Sequence, residues 1–151
     1  MRYLGLAADR FEPLFDLSDD ELRRRGMRRM IVDSKPGFPC RVTLQDAEPG
    51  ERVLLLPFDH QTAHSPFRAS GPVFVREGSF AAYDASEAPP VFKARALSVR
   101  AYDAEGMMLD ADLAEGEAVE KLLARFFHRT DVDYIHIHFA RRGCFACRVE
   151  R

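Results

Sequence analysis

The sequence predicts an α+β fold, in which a mainly antiparallel, hairpin-rich and curved sheet is covered by one main helix in the C-terminal half, with one short helix near the N-terminus. Short segments of alternating polarity between turn-forming residues predict the hairpins. Apolar residues at helical spacing in 114–128 predict the main helix. Ser18 and Glu21 match a capping box at the start of a short helix, 19–25. We expect residues 1–151 to form a single domain.

Composition restricts the classes of function. The chain has 151 residues, 46% of them hydrophobic, and a formal net charge of −2, which disfavours nucleic acid as a partner. The longest apolar run, 53–58, is too short to cross a bilayer, so no membrane partner is expected. The partners that composition leaves open are a small-molecule ligand or another protein, and the sequence does not determine the oligomeric state. Three cysteines cannot all pair and no secretory segment is recognised, so we expect a cytoplasmic protein with reduced thiols.

A central hairpin is predicted around Gly106, which takes the left-handed position of a three-residue loop. This register pairs Leu97 with Leu113 on the apolar face. It places Arg100 opposite Asp110 on the other face. A slip by one residue would bring polar residues into the core, so burial supports this register.

Residues 59–72 are dense in turn-forming residues and predict a long connection, a kind of segment that is often functional. Its candidates for ligand binding are His60, His64 and Arg68. Residues 73–76 and 79–83 predict a further hairpin. Cys40, which lies between a proline and an arginine, is another candidate for the site, or else a small buried residue that opens a strand.

A C-terminal hairpin carries the densest chemistry of the chain. A three-residue loop, 141–143, pairs Phe139 with Phe145 and Ile137 with Cys147, so this register buries Cys147. Strand alternation then defines a polar face on the other side of the hairpin. We call it the histidine face, and its predicted members are Tyr134, His136, His138, Cys144 and Arg148.

Three interpretations of the histidine face remain open. His136, His138 and Cys144 suit zinc or another divalent metal, although an additional ligand must come from elsewhere. The candidates for that ligand are Asp59, His60 and His64. Alternatively, Cys144 is a nucleophile or redox thiol activated by a histidine such as His138. In the third interpretation the face is a half-solvated surface or pocket wall without a metal, so the sequence does not decide whether the protein is an enzyme.

Arginines support a different class of function. One cluster lies in 23–29, and a second includes Arg141, Arg142, Arg148 and Arg151. These side chains suit a non-catalytic module that binds an anionic ligand or a protein partner. Acidic residues flank the first cluster, and charge runs of this kind are usually solvated surfaces.

Several motifs, taken together, resemble a known family. They are PCR (39–41), DAEPGERVLLL (46–56), SPFR (65–68), SGPVFVR (70–76) and GCFACR (143–148). The chain resembles a small bacterial family catalogued as domain of unknown function 1203, and it departs mildly at Phe67, where a tyrosine is expected. The resemblance spans nearly the whole chain. It implies a stand-alone bacterial protein of this length, without an assigned activity or assigned catalytic residues.

Overall fold

The structure is a computed structural model that describes residues 1–79, 81–93 and 95–151, and only the backbone at residue 117. The mainly antiparallel α+β architecture is confirmed, but the described strands form two sheets where one was expected. The strands are β1 (Arg2–Leu4), β2 (Arg28–Ile31), β3 (Arg52–Gln61), β4 (Ala69–Arg76), β5 (Asp84–Ala85), β6 (Ala96–Tyr102), β7 (Met108–Glu115), β8 (Tyr134–Phe139) and β9 (Phe145–Glu150). The α-helices are α1 (Asp19–Arg24) and α2 (Val119–Phe127), and 3₁₀ turns occupy Ala8–Arg10, Glu12–Asp16, Pro90–Phe92 and Gly116–Ala118.

The larger sheet has six strands in the order β5-β1-β9-β8-β6-β7, and α2 contributes to the core on one of its faces. The apolar stripe of the helix is buried as predicted, with Val119, Leu122, Leu123, Phe126 and Phe127 inside. The helix begins later than expected, because β7 continues to Glu115 and a 3₁₀ turn follows it. No helix among the described residues is long and apolar enough to cross a membrane.

The smaller sheet has the order β2-β3-β4 and a core of its own, which includes Leu22 of α1. The predicted capping box is confirmed, since Ser18 Oγ accepts the Glu21 amide at 3.2 Å and Glu21 Oε2 accepts the Ser18 amide at 2.8 Å. The N-terminal segment packs against this sheet, because Phe11 and Leu22 are buried in its core.

The prediction of a long connection over 59–72 is wrong. β3 continues to Gln61 and β4 begins at Ala69, so the loop is 62–68. Pro57 lies opposite Pro72 in the ladder. Neither residue has an amide hydrogen, so both missing donors fall at one position, and the residues on either side remain paired. β4 pairs with β3 and not with the predicted strand 79–83; residues 81–83 form no strand, and residue 80 lies outside the described residues.

The central hairpin has Gly106 in the predicted left-handed conformation, at φ +79°, but the predicted register is wrong by one residue. Leu113 lies opposite Ser98, and Arg100 lies opposite Ala111, because the ladder contains a bulge next to Tyr102. Leu113 is consequently 68% exposed, although the sequence predicted it in the core. Leu109, in the bulged stretch, packs against the core instead.

Paired leucine substitutions test this register. Leu97 is fully buried, so we expect Leu97→Ala to lower the free energy of unfolding by about 2–5 kcal/mol. Leu113→Ala removes the same atoms from an exposed position and should change it by no more than about 0.5 kcal/mol. Urea unfolding followed by circular dichroism measures both values. Similar losses in the two variants would support the predicted register and contradict the observed one.

Candidate metal centre

The C-terminal hairpin contains a bulge that decides which side chains meet. Ile137 pairs with Cys147 as predicted, but His138 then pairs with Phe145, so Ala146 is an extra residue in β9. The predicted pairing of Phe139 with Phe145 is therefore wrong. Beyond the bulge every side chain changes face, which brings Phe145 to the histidines.

A buried arginine holds the bulge. Arg41 is only 1% exposed, and its Nε donates to the Phe145 carbonyl at 2.6 Å. Its Nη1 donates to the Pro39 carbonyl, and its guanidinium lies 4.9 Å from the centre of the Phe139 ring. Because buried polar groups are costly without partners, these bonds stabilise the irregular backbone.

The same bulge removes Cys144 from the predicted histidine face. Its side chain packs against the main core, and Arg41 Nη2 donates to its Sγ at 3.3 Å. His138 stays beside His136 on the opposite face, so the expected pairing of Cys144 with His138 is not formed. The reason is the inserted residue, since one extra residue reverses the alternation of a strand.

Three histidines come together across the two sheets. His136 and His138 lie at alternate positions of β8, and His60 reaches them from the end of β3. One ring nitrogen of each histidine lies within 4.8 Å of the other two. The Phe145 ring stacks on the His60 ring, with 5.2 Å between the ring centres. It meets the His136 ring edge to face, with 5.0 Å between the centres. We call His60, His136 and His138 the histidine triad.

Hydrogen bonding fixes the tautomer of His138. Its Nδ1 lies 2.9 Å from the Gly143 carbonyl, which can only accept, so Nδ1 carries the proton and Nε2 carries a lone pair. That Nε2 is buried and has no partner in the described part of the chain. Nδ1 of His60 and Nδ1 of His136 are likewise buried without partners there. Each member of the triad therefore offers one buried, unused nitrogen.

The triad is neutral near pH 7. Burial, together with His138 and Arg148, lowers the pKa of His136 to about 3. Burial also lowers the pKa of His138 to about 4, with a smaller contribution from Arg100. The pKa of His60 is lowered by burial and by Arg100. Neutral imidazole is the form that binds a metal ion.

Arginines flank the triad on both sides. Arg100 of β6 and Arg148 of β9 are the two cross-strand neighbours of His136. The Arg148 guanidinium lies 3.9 Å from the centre of the Tyr134 ring, and its Nε donates to Glu150 at 2.8 Å. Tyr134 thus supports Arg148 from the buried end of β8. Its hydroxyl in turn accepts a hydrogen bond from Gln61 Nε2 at 2.8 Å.

A cleft of about 820 Å³ leads to the triad. His60 and His136 both line it, so a metal ion held by them would face the cleft. Its other lining residues are Leu4, Gly5, Leu6, Ala7, Arg10, Phe11, Leu14, Leu56, Pro57, Phe58, Asp59, Thr62, Phe145 and Arg148. A volume of this size is typical of sites for small molecules.

The remaining candidates lie elsewhere. Cys40 is fully buried in the smaller core, where its Sγ accepts the Arg76 amide at 3.4 Å, and it does not line the cleft. His64 and Arg68 are exposed in the 62–68 loop. Sequence reasoning missed Arg41, whose role depends on a contact 104 residues away, and it missed Phe145 because the bulge was not foreseen.

The depressed histidine pKa values predict that the metal-free protein loses stability in acid. Between the ordinary value of 6.5 and the folded values near 3 and 4, the unfolded chain binds more protons. The free energy of unfolding should therefore fall from pH 7 to pH 5, by about 2 kcal/mol for each of His136 and His138. Urea unfolding in chelator across this range measures the loss.

The matched comparison uses His136→Gln/His138→Gln, which should have a flatter pH profile than the wild type, and His64→Gln, which should not. Equal slopes in the wild type and the double variant would show that these imidazoles take up protons freely in the folded state.

Thiol labelling tests the surroundings of the cysteines. Cys144 is partly exposed, whereas Cys147 is fully buried and burial raises its pKa, so iodoacetamide should modify Cys144 first. Peptide mass spectrometry after a short pulse on native protein gives both rates. Modification of Cys147 as fast as Cys144 is the contrary result.

Comparison with known proteins gives a family but no activity. Residues 37–151 match the family model described as a protein of unknown function, DUF1203. No curated protein and no solved structure matches the chain. The matched range contains the whole histidine triad, the bulge and Arg41. The chain therefore belongs to the DUF1203 family.

Proposed function

We propose that the protein is a metalloprotein in which the histidine triad binds one divalent transition metal, with zinc as the first candidate. The observation that carries this proposal is the set of three buried, unpartnered nitrogens, one from each of His60, His136 and His138. Buried polar atoms without partners are rare in native proteins and often mark an ion or a reactive site. Three neutral imidazoles suit zinc, copper, iron and nickel.

The surroundings of His138 support the same proposal. Histidine ligands usually donate their second ring N–H to a carbonyl or carboxylate, which orients the ring and fixes its tautomer. The bond from His138 Nδ1 to the Gly143 carbonyl has this form and leaves the lone pair of the buried Nε2 free for a metal. One ring nitrogen of each histidine lies within 4.8 Å of the other two, so small side-chain rotations suffice for zinc–nitrogen distances of about 2.0–2.1 Å.

Three protein ligands leave a coordination position open, and in this site that position would face the cleft, which His60 and His136 line. Zinc sites with three protein ligands bind water in the fourth position and lower its pKa to about 7. We therefore favour a metal-activated water or Lewis-acid centre over a closed structural site. The residues for this chemistry are His60 and His136 at the cleft and His138 behind them.

The thiol-dependent alternative has less support. Cys144 meets Arg41 and lies on the opposite face from His138, so a cysteine–histidine pair has no geometric basis. All three cysteines are free. Free thiols suit a reducing compartment, and we propose on this ground that the protein works in the cytoplasm.

Metal content tests the proposal directly. Protein purified without a histidine tag and reloaded with zinc after chelation should contain one zinc per chain by elemental analysis. Replacing His60, His136 or His138 by asparagine or glutamine removes a direct ligand and should weaken zinc binding more than about 100-fold. Loss of a residue that only hydrogen-bonds to a ligand typically weakens metal binding by roughly 10–100-fold. His64→Ala, an exposed histidine near His60, is the control and should bind zinc as the wild type does.

Cobalt(II) substitution adds an independent readout, because its visible spectrum reports coordination by nitrogen. Folded variants, checked by circular dichroism, are compared at equal concentration. Equal zinc affinity in the wild type and in a folded His136→Gln variant would contradict the proposal.

A further inference from the structure

The surroundings of the histidine triad are positively charged. Arg100 and Arg148 are the cross-strand neighbours of His136, and Arg10 lies in the wall of the cleft with its guanidinium 5.5 Å from the centre of the Phe58 ring. Arg10 and Arg100 form no ion pair within the described residues, whereas Arg148 forms one with Glu150. Arg148 uses its Nε on Glu150, and its two terminal nitrogens donate to no residue that the structure describes.

The cleft offers little negative charge in return. Among the described residues that line it, Asp59 is the only acidic one, and this side chain is exposed to solvent. A divalent metal on the triad would add two positive charges to this region. Such a site is complementary to an anion, which would lie between the metal and the Arg148 guanidinium.

Apart from Thr62, the rest of the cleft wall is apolar. Leu6 and Leu14 line it from the N-terminal segment, and Leu56 and Phe58 line it from β3. At about 820 Å³ the cleft is larger than acetate or inorganic phosphate requires. A hydrocarbon or aromatic group of a ligand would be shielded from water by these walls. Its burial is favourable in proportion to the apolar area removed from water.

We propose that the cleft binds a small organic anion, whose carboxylate or phosphate group meets the metal and Arg148 while its apolar part lies against the leucine and phenylalanine wall. This inference rests on the proposed metal centre for the position of the charged group. Arg148 is a binding residue in this arrangement, and Tyr134 and Glu150 hold its side chain in place. Polymeric anions are a poorer fit, because the chain as a whole has a net charge of −2.

Matched small molecules separate the two parts of the inference. Zinc-loaded protein is titrated calorimetrically at low salt with 3-phenylpropionate, with the neutral isostere 3-phenylpropionamide, with acetate and with phenyl phosphate. We expect the phenyl-bearing anions to bind at least about tenfold more tightly than the amide or acetate. The amide lacks the charge-assisted hydrogen bond and acetate lacks the apolar contact, and the free energy of either interaction corresponds to at least about a tenfold change in affinity. The stronger of the two anions identifies the preferred charged group, and added salt should weaken both.

Variants locate the anion. Arg148→Gln should weaken binding of the better anion at least about tenfold. Arg125→Gln is the matched control, because Arg125 is an exposed arginine of α2 that pairs with Asp112 and is absent from the cleft lining, and it should bind as the wild type does. Equal binding of the amide and the anions, an Arg148→Gln protein that binds normally, or no binding of either phenyl-bearing anion would overturn the inference.

Zinc content measured in the same samples keeps the two proposals separate. One zinc per chain without anion binding overturns this inference and leaves the metal centre intact. Anion binding that depends on Arg148 in a protein that takes up no zinc supports the anion site and contradicts the metal centre.

Discussion

The hydrogen bond from buried Arg41 to the Phe145 carbonyl is the interaction on which the candidate site depends. It stabilises a β-bulge in the C-terminal hairpin, and the bulge directs Phe145 against His60 and His136. Without the extra residue in β9, Phe145 would lie in the main core and Cys144 would lie beside the histidines. Because a bulge reverses strand alternation, one buried guanidinium decides whether this face is built from histidine and aromatic rings or from histidine and thiol.

Buried, neutral histidines without partners carry a cost. An unsatisfied buried polar group costs roughly 1–3 kcal/mol, and the triad contains three such nitrogens. Such a local loss of stability is common at sites where function requires it. A metal ion that binds only the folded chain would return stability, in proportion to the logarithm of its concentration relative to its dissociation constant. The supporting groups are placed on β3, β8 and β9, whose rigidity suits a preorganised site.

Features that depend on neighbouring residues were predictable from the sequence. The Ser18–Glu21 capping box, the apolar stripe of α2, and the left-handed Gly106 and Gly143 all follow from local patterns, and the structure contains each of them. Alternation along β8 also placed His136 and His138 on one face. His60 was a candidate partner for them, but its position on a strand was hidden by the turn-forming residues around it.

Features that depend on distant contacts were not predictable. The register of the central hairpin was off by one residue, and that of the C-terminal hairpin was right for Ile137–Cys147 but failed at Phe139–Phe145. Each ladder contains a bulge, whereas a register inferred from burial assumes uninterrupted alternation. The position of Arg100 beside His136 follows from the pairing of β6 with β8, which no short motif encodes. Arg41 is separated from Phe145 by 104 residues, so its role appears only in the folded chain.

X-ray absorption spectroscopy of the zinc-loaded protein tests the central claim most directly, because it distinguishes nitrogen from sulfur ligands by distance. The histidine triad predicts nitrogen and oxygen neighbours at about 2.0–2.1 Å, with the outer-shell scattering of three imidazoles. A sulfur neighbour at about 2.3 Å would place Cys144 on the metal. That result would contradict both the bulged register and the histidine-only centre.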